Sequence, residues 1–285
     1  MIFTTSLLLT ALQVGPNPVT IPPTDAHQEL LDRVPRDADQ TNTSNPASEW
    51  LAECLERLEQ DPSRAHTMAQ IQRNITTGHQ RVLANHCLGL AASELALWDD
   101  AITAFEAARD ETPDDEMRLK ARFGAMAGNA AQASGDLLRA EQILRRAKRD
   151  AQSAASAGMQ AVIAADLARV LVAMQQPDNG LAELEYATQM QPDNAESWLL
   201  KATLLRRLDR LDQAQLAIER TGELDPLNPQ VGLEAGIIAL FTGRENAARS
   251  SWQSVIDLQP DSASAATARG YLDQLQPQAT AQQDQ

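Results

Sequence analysis

The sequence predicts an all-α fold, a solenoid of stacked helix pairs, and two observations predict it. The first is a 34-residue echo in the C-terminal half, punctuated by Pro192, Pro226 and Pro260. Around those prolines residues recur in register: Ala168, Ala202 and Gly236, then Leu184, Ile218 and Trp252, then Met190, Leu224 and Leu258. A period of that length with helical spacing marks repeated helix pairs, each burying its apolar face on its neighbours. The second is composition: of 285 residues 43% are hydrophobic but only 4% aromatic, with alanine abundant. Such chains pack helices closely and form few sheets.

Ile2 to Val14, IFTTSLLLTALQV, is apolar throughout. As a helix it would reach about 20 Å, short of the roughly 30 Å hydrocarbon core, so no membrane span is expected. The length suits the apolar region of a secretory signal peptide over residues 1–14, although no Lys or Arg precedes it and no A-x-A site follows. Residues 15–46 are rich in Pro, Thr, Asp and Asn without an apolar period, the composition of a flexible linker. Export to the periplasm is the expectation, with a cytoplasmic location as the alternative.

Residues 47–78 read as a degenerate first helix pair, with Trp50, Leu51, Cys54, Leu55 and Leu58 on one apolar face. The clearest unit follows, LGLAASELALWDDAITAFEAARDETP, with Leu88-Gly89 and Ala92 in a first helix, Ala101, Phe105 and Ala108 in a second, and Pro113 as the stop. Residues 121–153 repeat the pattern through Gly128, Ala131, Gly135-Asp136, Ala140, Leu144 and Ala147 but lack the closing proline. Spacing here widens to about 39 or 40 residues, so longer helices are expected. Residues 161–194 fit least well, since Gly180 stands where alanine is usual and Pro177 interrupts the turn. The units at 195–228 and 229–262 carry Trp198, Ala202, Ala214, Ile218 and Pro226, then Gly236, Gly243, Ala248, Trp252 and Pro260. Ala265 to Leu275 reads as a capping helix, and residues 276–285 as a disordered, Gln-rich tail.

These units resemble the tetratricopeptide repeat, whose pattern is W-x2-L-G-x2-Y, then A-x3-F, then P. The resemblance covers about residues 82–275 strongly and 47–78 weakly, and implies a right-handed superhelix of five to six helix-turn-helix repeats with a C-terminal cap. It further implies a non-enzymatic scaffold that receives a protein or peptide on the concave face formed by the first helices. Carried onto this chain, the groove positions are Arg122, Asn129, Asp166, Arg169, Glu196, Leu199, Thr203, Arg206, Arg207, Leu233, Glu234, Ile237 and Phe241. The Lys and Asn with which some members clamp a C-terminal carboxylate are replaced by His86 and Leu90, so that clamp is not expected. Arg169, Arg206 and Arg207 beside Leu199, Leu233, Ile237 and Phe241 suggest a local positive, partly apolar spot for an acidic peptide. The bland alternative is that these arginines pair with nearby carboxylates, an arrangement contributing about 0–1 kcal/mol when exposed.

A formal charge of −15 without a Lys/Arg block argues against nucleic acid, which demands clustered cations. Only Lys120, Lys148 and Lys201 are lysines among 24 basic residues, a skew expected of a GC-rich, alphaproteobacterial-like source. Cys54 and Cys87, with His79 and His86, lack the spacing of zinc motifs, so no metal or other cofactor is expected. In an oxidising compartment the two cysteines are a candidate disulfide, because they lie on first helices of adjacent pairs. Acidic runs such as Asp99-Asp100 and Asp114-Asp115-Glu116 fall at helix starts and turns, where they suit capping better than acid/base work. No phosphate-binding Gly loop, nucleophile elbow or HExxH occurs, and no enzyme is expected. The competing expectation is a subunit or regulator of an envelope enzyme complex whose active site a partner completes.

Overall fold

The structure, a computed structural model, describes residues 46–275. The apolar run, the linker up to residue 45 and the Gln-rich tail lie outside the described residues. Among the described residues the chain forms thirteen α-helices. They are α1 (Pro46–Gln60), α2 (Pro62–Ile75), α3 (His79–Glu94), α4 (Trp98–Glu111), α5 (Met117–Ser134), α6 (Leu137–Ser153), α7 (Ala157–Ala173), α8 (Pro177–Met190), α9 (Ala195–Arg207), α10 (Leu211–Leu224), α11 (Pro229–Phe241), α12 (Glu245–Leu258) and α13 (Ala263–Gln274). The fold is thus an all-α helical-repeat solenoid. Its last three odd-numbered helices begin at Ala195, Pro229 and Ala263, at the 34-residue spacing of the echo. Upstream the wider spacing is taken up by length: α5 has 18 residues, α6 and α7 have 17, against 13 in α9 and α11.

Two compact units are present, residues 46–111 with 129–136, and residues 112–128 with 137–275, so that α5 contributes to both. In the first, Pro62 opens α2 and the Asp61 carboxylate accepts from Arg64 N at 3.1 Å, satisfying a donor that the helix start leaves free. Leu51 and Cys54 of α1 and Ala65 and Ala69 of α2 are buried. Helix α3 is buried on every face from Val82 to Gly89, the pattern of a helix enclosed by neighbours.

The second unit has a core of Ala168, Leu184, Ala202, Leu205, Ala214, Ile218 and Ile238, followed by one around Trp252. Close helix crossings explain the small residues. A Cβ on Gly236 would lie 2.1 Å from Trp252 Nε1, and that nitrogen donates to Leu233 O at 3.1 Å. Gly180 is a crossing of the same kind: a Cβ there would meet Val172 Cγ2 at 2.8 Å and Ala168 O at 3.1 Å. It therefore completes the repeat and does not weaken it. Pro177 likewise opens α8 at its first turn, where its missing N–H costs nothing, and does not interrupt the turn.

Each turn inside a helix pair from α3 onward carries one residue with positive φ: Ala96, Gly135, Gln175, Asp209 and Gly243. At the C-terminus Ser262 caps α13 by accepting from Ala265 N at 3.0 Å. Tyr271, Leu272 and Leu275 rest on the Trp252 cluster, while Ala266, Arg269 and Asp273 face solvent, a polar outer face on the last helix.

Candidate functional site

Within the second unit the first helices α7, α9 and α11 carry most of the expected groove residues. Asp166 and Arg169 lie one turn apart on α7 because helical neighbours recur at three and four residues. Arg169 Nη1 donates to Asp166 Oδ1 at 2.8 Å, and its Nη2 donates to Glu196 on α9. Asp166 is 2% exposed, so the guanidinium is held from the buried side, whereas Glu196 is half in solvent. The next step along the helices repeats the device: Arg206 of α9 donates to Glu234 of α11 through Nε at 2.5 Å and Nη2 at 3.2 Å.

The expected positive spot is therefore corrected. Arg169 stands between two carboxylates and Arg206 is matched by one, which leaves the exposed Arg207 as the cation available to a partner. The charges do pair, but with Asp166, Glu196 and Glu234, across helices as well as along them. Leu233 is corrected too. It is 8% exposed, forms part of the Trp252 core and supplies the carbonyl that Trp252 binds. Leu199, Thr203 and Ile237 are half-buried, and Phe241 at the end of α11 is 62% exposed. Arg122 is half-buried in the second unit and Asn129 half-buried in the first. His86 is 1% exposed, so this clamp position is no part of a surface.

Two residues escaped the sequence reading. Leu240 precedes Phe241 and is 37% exposed, enlarging the apolar tip of α11. Tyr271, on α13, is pushed above the usual tyrosine range by burial, with Arg206 lowering and Glu234 raising it. The Arg206–Glu234 pair is thus felt electrostatically by a residue of the last helix, a relation that no period in the sequence encodes.

In the first unit Cys54 and Cys87 form a disulfide that joins α1 to α3, and both residues are 0% exposed. Among the described residues no helix is long and apolar enough to cross a membrane.

Residues 171–237, from the end of α7 to the middle of α11, match the family model described as tetratricopeptide repeat. No curated protein matches the chain significantly in sequence. Among solved structures the chain is similar to Pseudomonas aeruginosa pilF, with a TM-score of 0.60 at 15% identity over 79% of this chain and 97% of that one. It is also similar to MamA from Desulfovibrio magneticus RS-1, residues 41 to the end, with a TM-score of 0.53 at 15% identity over 66% and 100%. A third likeness, TM-score 0.48 at 20% identity over 66% and 92%, is to YrrB, a TPR protein with an unusual peptide-binding site. At these identities the first two likenesses speak for the fold alone. The stretch 171–237 thus carries the match to the tetratricopeptide repeat, within a chain whose fold is that of a helical-repeat protein.

Proposed function

We propose that the chain is a non-enzymatic scaffold that holds a protein or peptide against the first helices of its second unit. The observation that carries this reading is the tip of α11, where Leu240 and Phe241 stand in solvent at 37% and 62% exposure. A folded chain seldom leaves adjacent large apolar side chains exposed beside half-buried ones such as Ile237, and such surfaces mark interaction sites. Arg207 supplies a nearby charge that no carboxylate of the described residues neutralises. The ligand that fits is a segment led by an apolar anchor. The self-neutralised Arg169 and Arg206 remove the reason to favour an acidic one.

The periplasm is proposed as the compartment on two supports. A buried disulfide suits an oxidising environment, and the apolar run Ile2–Val14 has the length of a signal-peptide core. Fusion of residues 1–46 to a reporter active only outside the cytoplasm tests export, and a silent reporter overturns it.

Binding is tested with the full chain as bait beside a Phe241→Asp/Arg207→Glu variant, both positions being exposed. Partners retained by the wild type and lost by the variant, at unchanged helicity and melting temperature, are the expected result. Identical capture by both baits overturns the assignment of this face.

A further inference from the structure

A separate feature of the second unit lies between α8 and α9. Glu185, Thr188 and Gln189 from the end of α8 and Trp198 and Lys201 from α9 line an open cavity of about 420 Å³. That volume lies within the usual range of small-ligand sites. Trp198 is fixed as its wall, because its Nε1 donates to Pro192 O at 3.0 Å in the loop that joins the two helices. Lys201 places its Nζ 4.9 Å from the centre of that ring.

The three lysines differ in what they touch. Lys120 donates to Asp114, and Lys148 donates to Glu183 while lying over Tyr186. Both ammonium groups are thereby held in ion pairs. Lys201 alone has no carboxylate at ion-pair distance among the described residues. It is half-buried and lines the cavity.

We propose that Lys201 is a covalent modification site, the amine with which this chain captures an aldehyde carried on an aromatic or apolar body. The nitrogen lone pair adds to the carbonyl carbon and the C=O pair moves to oxygen, giving a carbinolamine. Loss of that oxygen as water, with the two amine hydrogens, leaves the imine, and no oxidant or reductant enters.

The surroundings favour this chemistry in two ways. Burial holds the Lys201 ammonium below the usual lysine range, and the like charge of Arg210 acts in the same direction. The Glu185 carboxylate pulls the other way, less strongly than burial but more strongly than Arg210. Desolvation is a recognised means of freeing a lysine as a nucleophile. The Trp198 face favours the charged form, but the same ring offers a planar body a surface to stack on once the amine has reacted.

The test uses the full chain at neutral pH with limiting benzaldehyde and cyanoborohydride to trap the imine, followed by peptide mapping of all three lysines. The expected result is trapping at Lys201 roughly tenfold faster than at Lys120 or Lys148. That lead should shrink when acetaldehyde replaces benzaldehyde and disappear in folded Trp198→Ala protein. Comparable rates at the three lysines overturn the proposal. So does a lead that is the same for both aldehydes, since the cavity then selects nothing. The aldehyde comparison needs only wild-type protein, so a failure of Trp198→Ala to fold leaves the test intact.

Discussion

Arg206 of α9 grips Glu234 of α11 through two nitrogens, at 2.5 and 3.2 Å, and so fastens one first helix to the next. Glu234 is 7% exposed, and without the guanidinium its carboxylate would be buried beside Tyr271 and the Trp252 core. A bidentate pair of this kind is matched in geometry and largely withdrawn from water. Its task is to hold the repeats together. Arg207, one residue on, faces solvent.

Adjacent arginines should therefore behave differently. Arg206→Ala strands a buried carboxylate and should cost about 2 kcal/mol, below the full cost of breaking a buried pair because Arg206 keeps some solvent contact. Arg207→Ala should stay within about 0.5 kcal/mol of wild type. Urea unfolding of the two variants checks this, and equal losses would show that the pair does not fasten the helices.

The Cys54–Cys87 bond spans 33 residues of sequence and ties α1 to α3. A loop of that length contributes about 3–4 kcal/mol by restricting the unfolded chain. Replacing both cysteines by serine should therefore release α1 and α2 first, because Leu51, Ala65 and Ala69 are their main buried apolar anchors. Hydrogen exchange should rise over residues 46–75 and stay unchanged over 195–275. Exchange rising equally in both stretches would mean that the bond stabilises more than its own unit.

The fold was legible in the sequence to the extent that it is periodic. Ala202, Gly236, Ile218 and Trp252 recur because each helix crossing poses the same steric problem, and periodicity reports it. Gly180 and Pro177 were misread because a consensus says what is usual, whereas the crossing at Val172 and the first turn of α8 decide what is needed. The groove was less legible. Which side chains share the first-helix face follows from helical spacing, but their pairing depends on the neighbouring helix. Arg206 meets Glu234, 28 residues away, and Leu233 turns into the core. Tyr271 feels that pair's charges from the last helix, for which the repeat supplies no register.

Gly236 is a sharper test of the close crossing. Alanine would gain about 1 kcal/mol of helix propensity on α11. Its Cβ, however, would fall 2.1 Å from Trp252 Nε1, and Trp252 is 1% exposed and bonded to Leu233 O. Overpacking of this kind typically costs about 1–3 kcal/mol, so the net change should be destabilising. Near-ultraviolet circular dichroism should report the displaced indole. A stabilised Gly236→Ala protein would show that the two helices can separate freely.

The turn between α3 and α4 offers a change of opposite sign. Ala96 has φ of 55°, where its Cβ crowds the following carbonyl, while the equivalent turns at Gly135 and Gly243 use glycine. Relief of the left-handed strain is worth about 1–2 kcal/mol, and the added freedom of glycine in the unfolded chain removes about 0.5–1 of it. Ala96 is exposed, so no packing is lost. Ala96→Gly should thus stabilise the protein by roughly 0.5–1 kcal/mol, read as a higher urea midpoint at unchanged slope. A lower midpoint would mean that unfolded-state entropy outweighs the strain, and the same substitution at Gln175 would then be expected to fail as well.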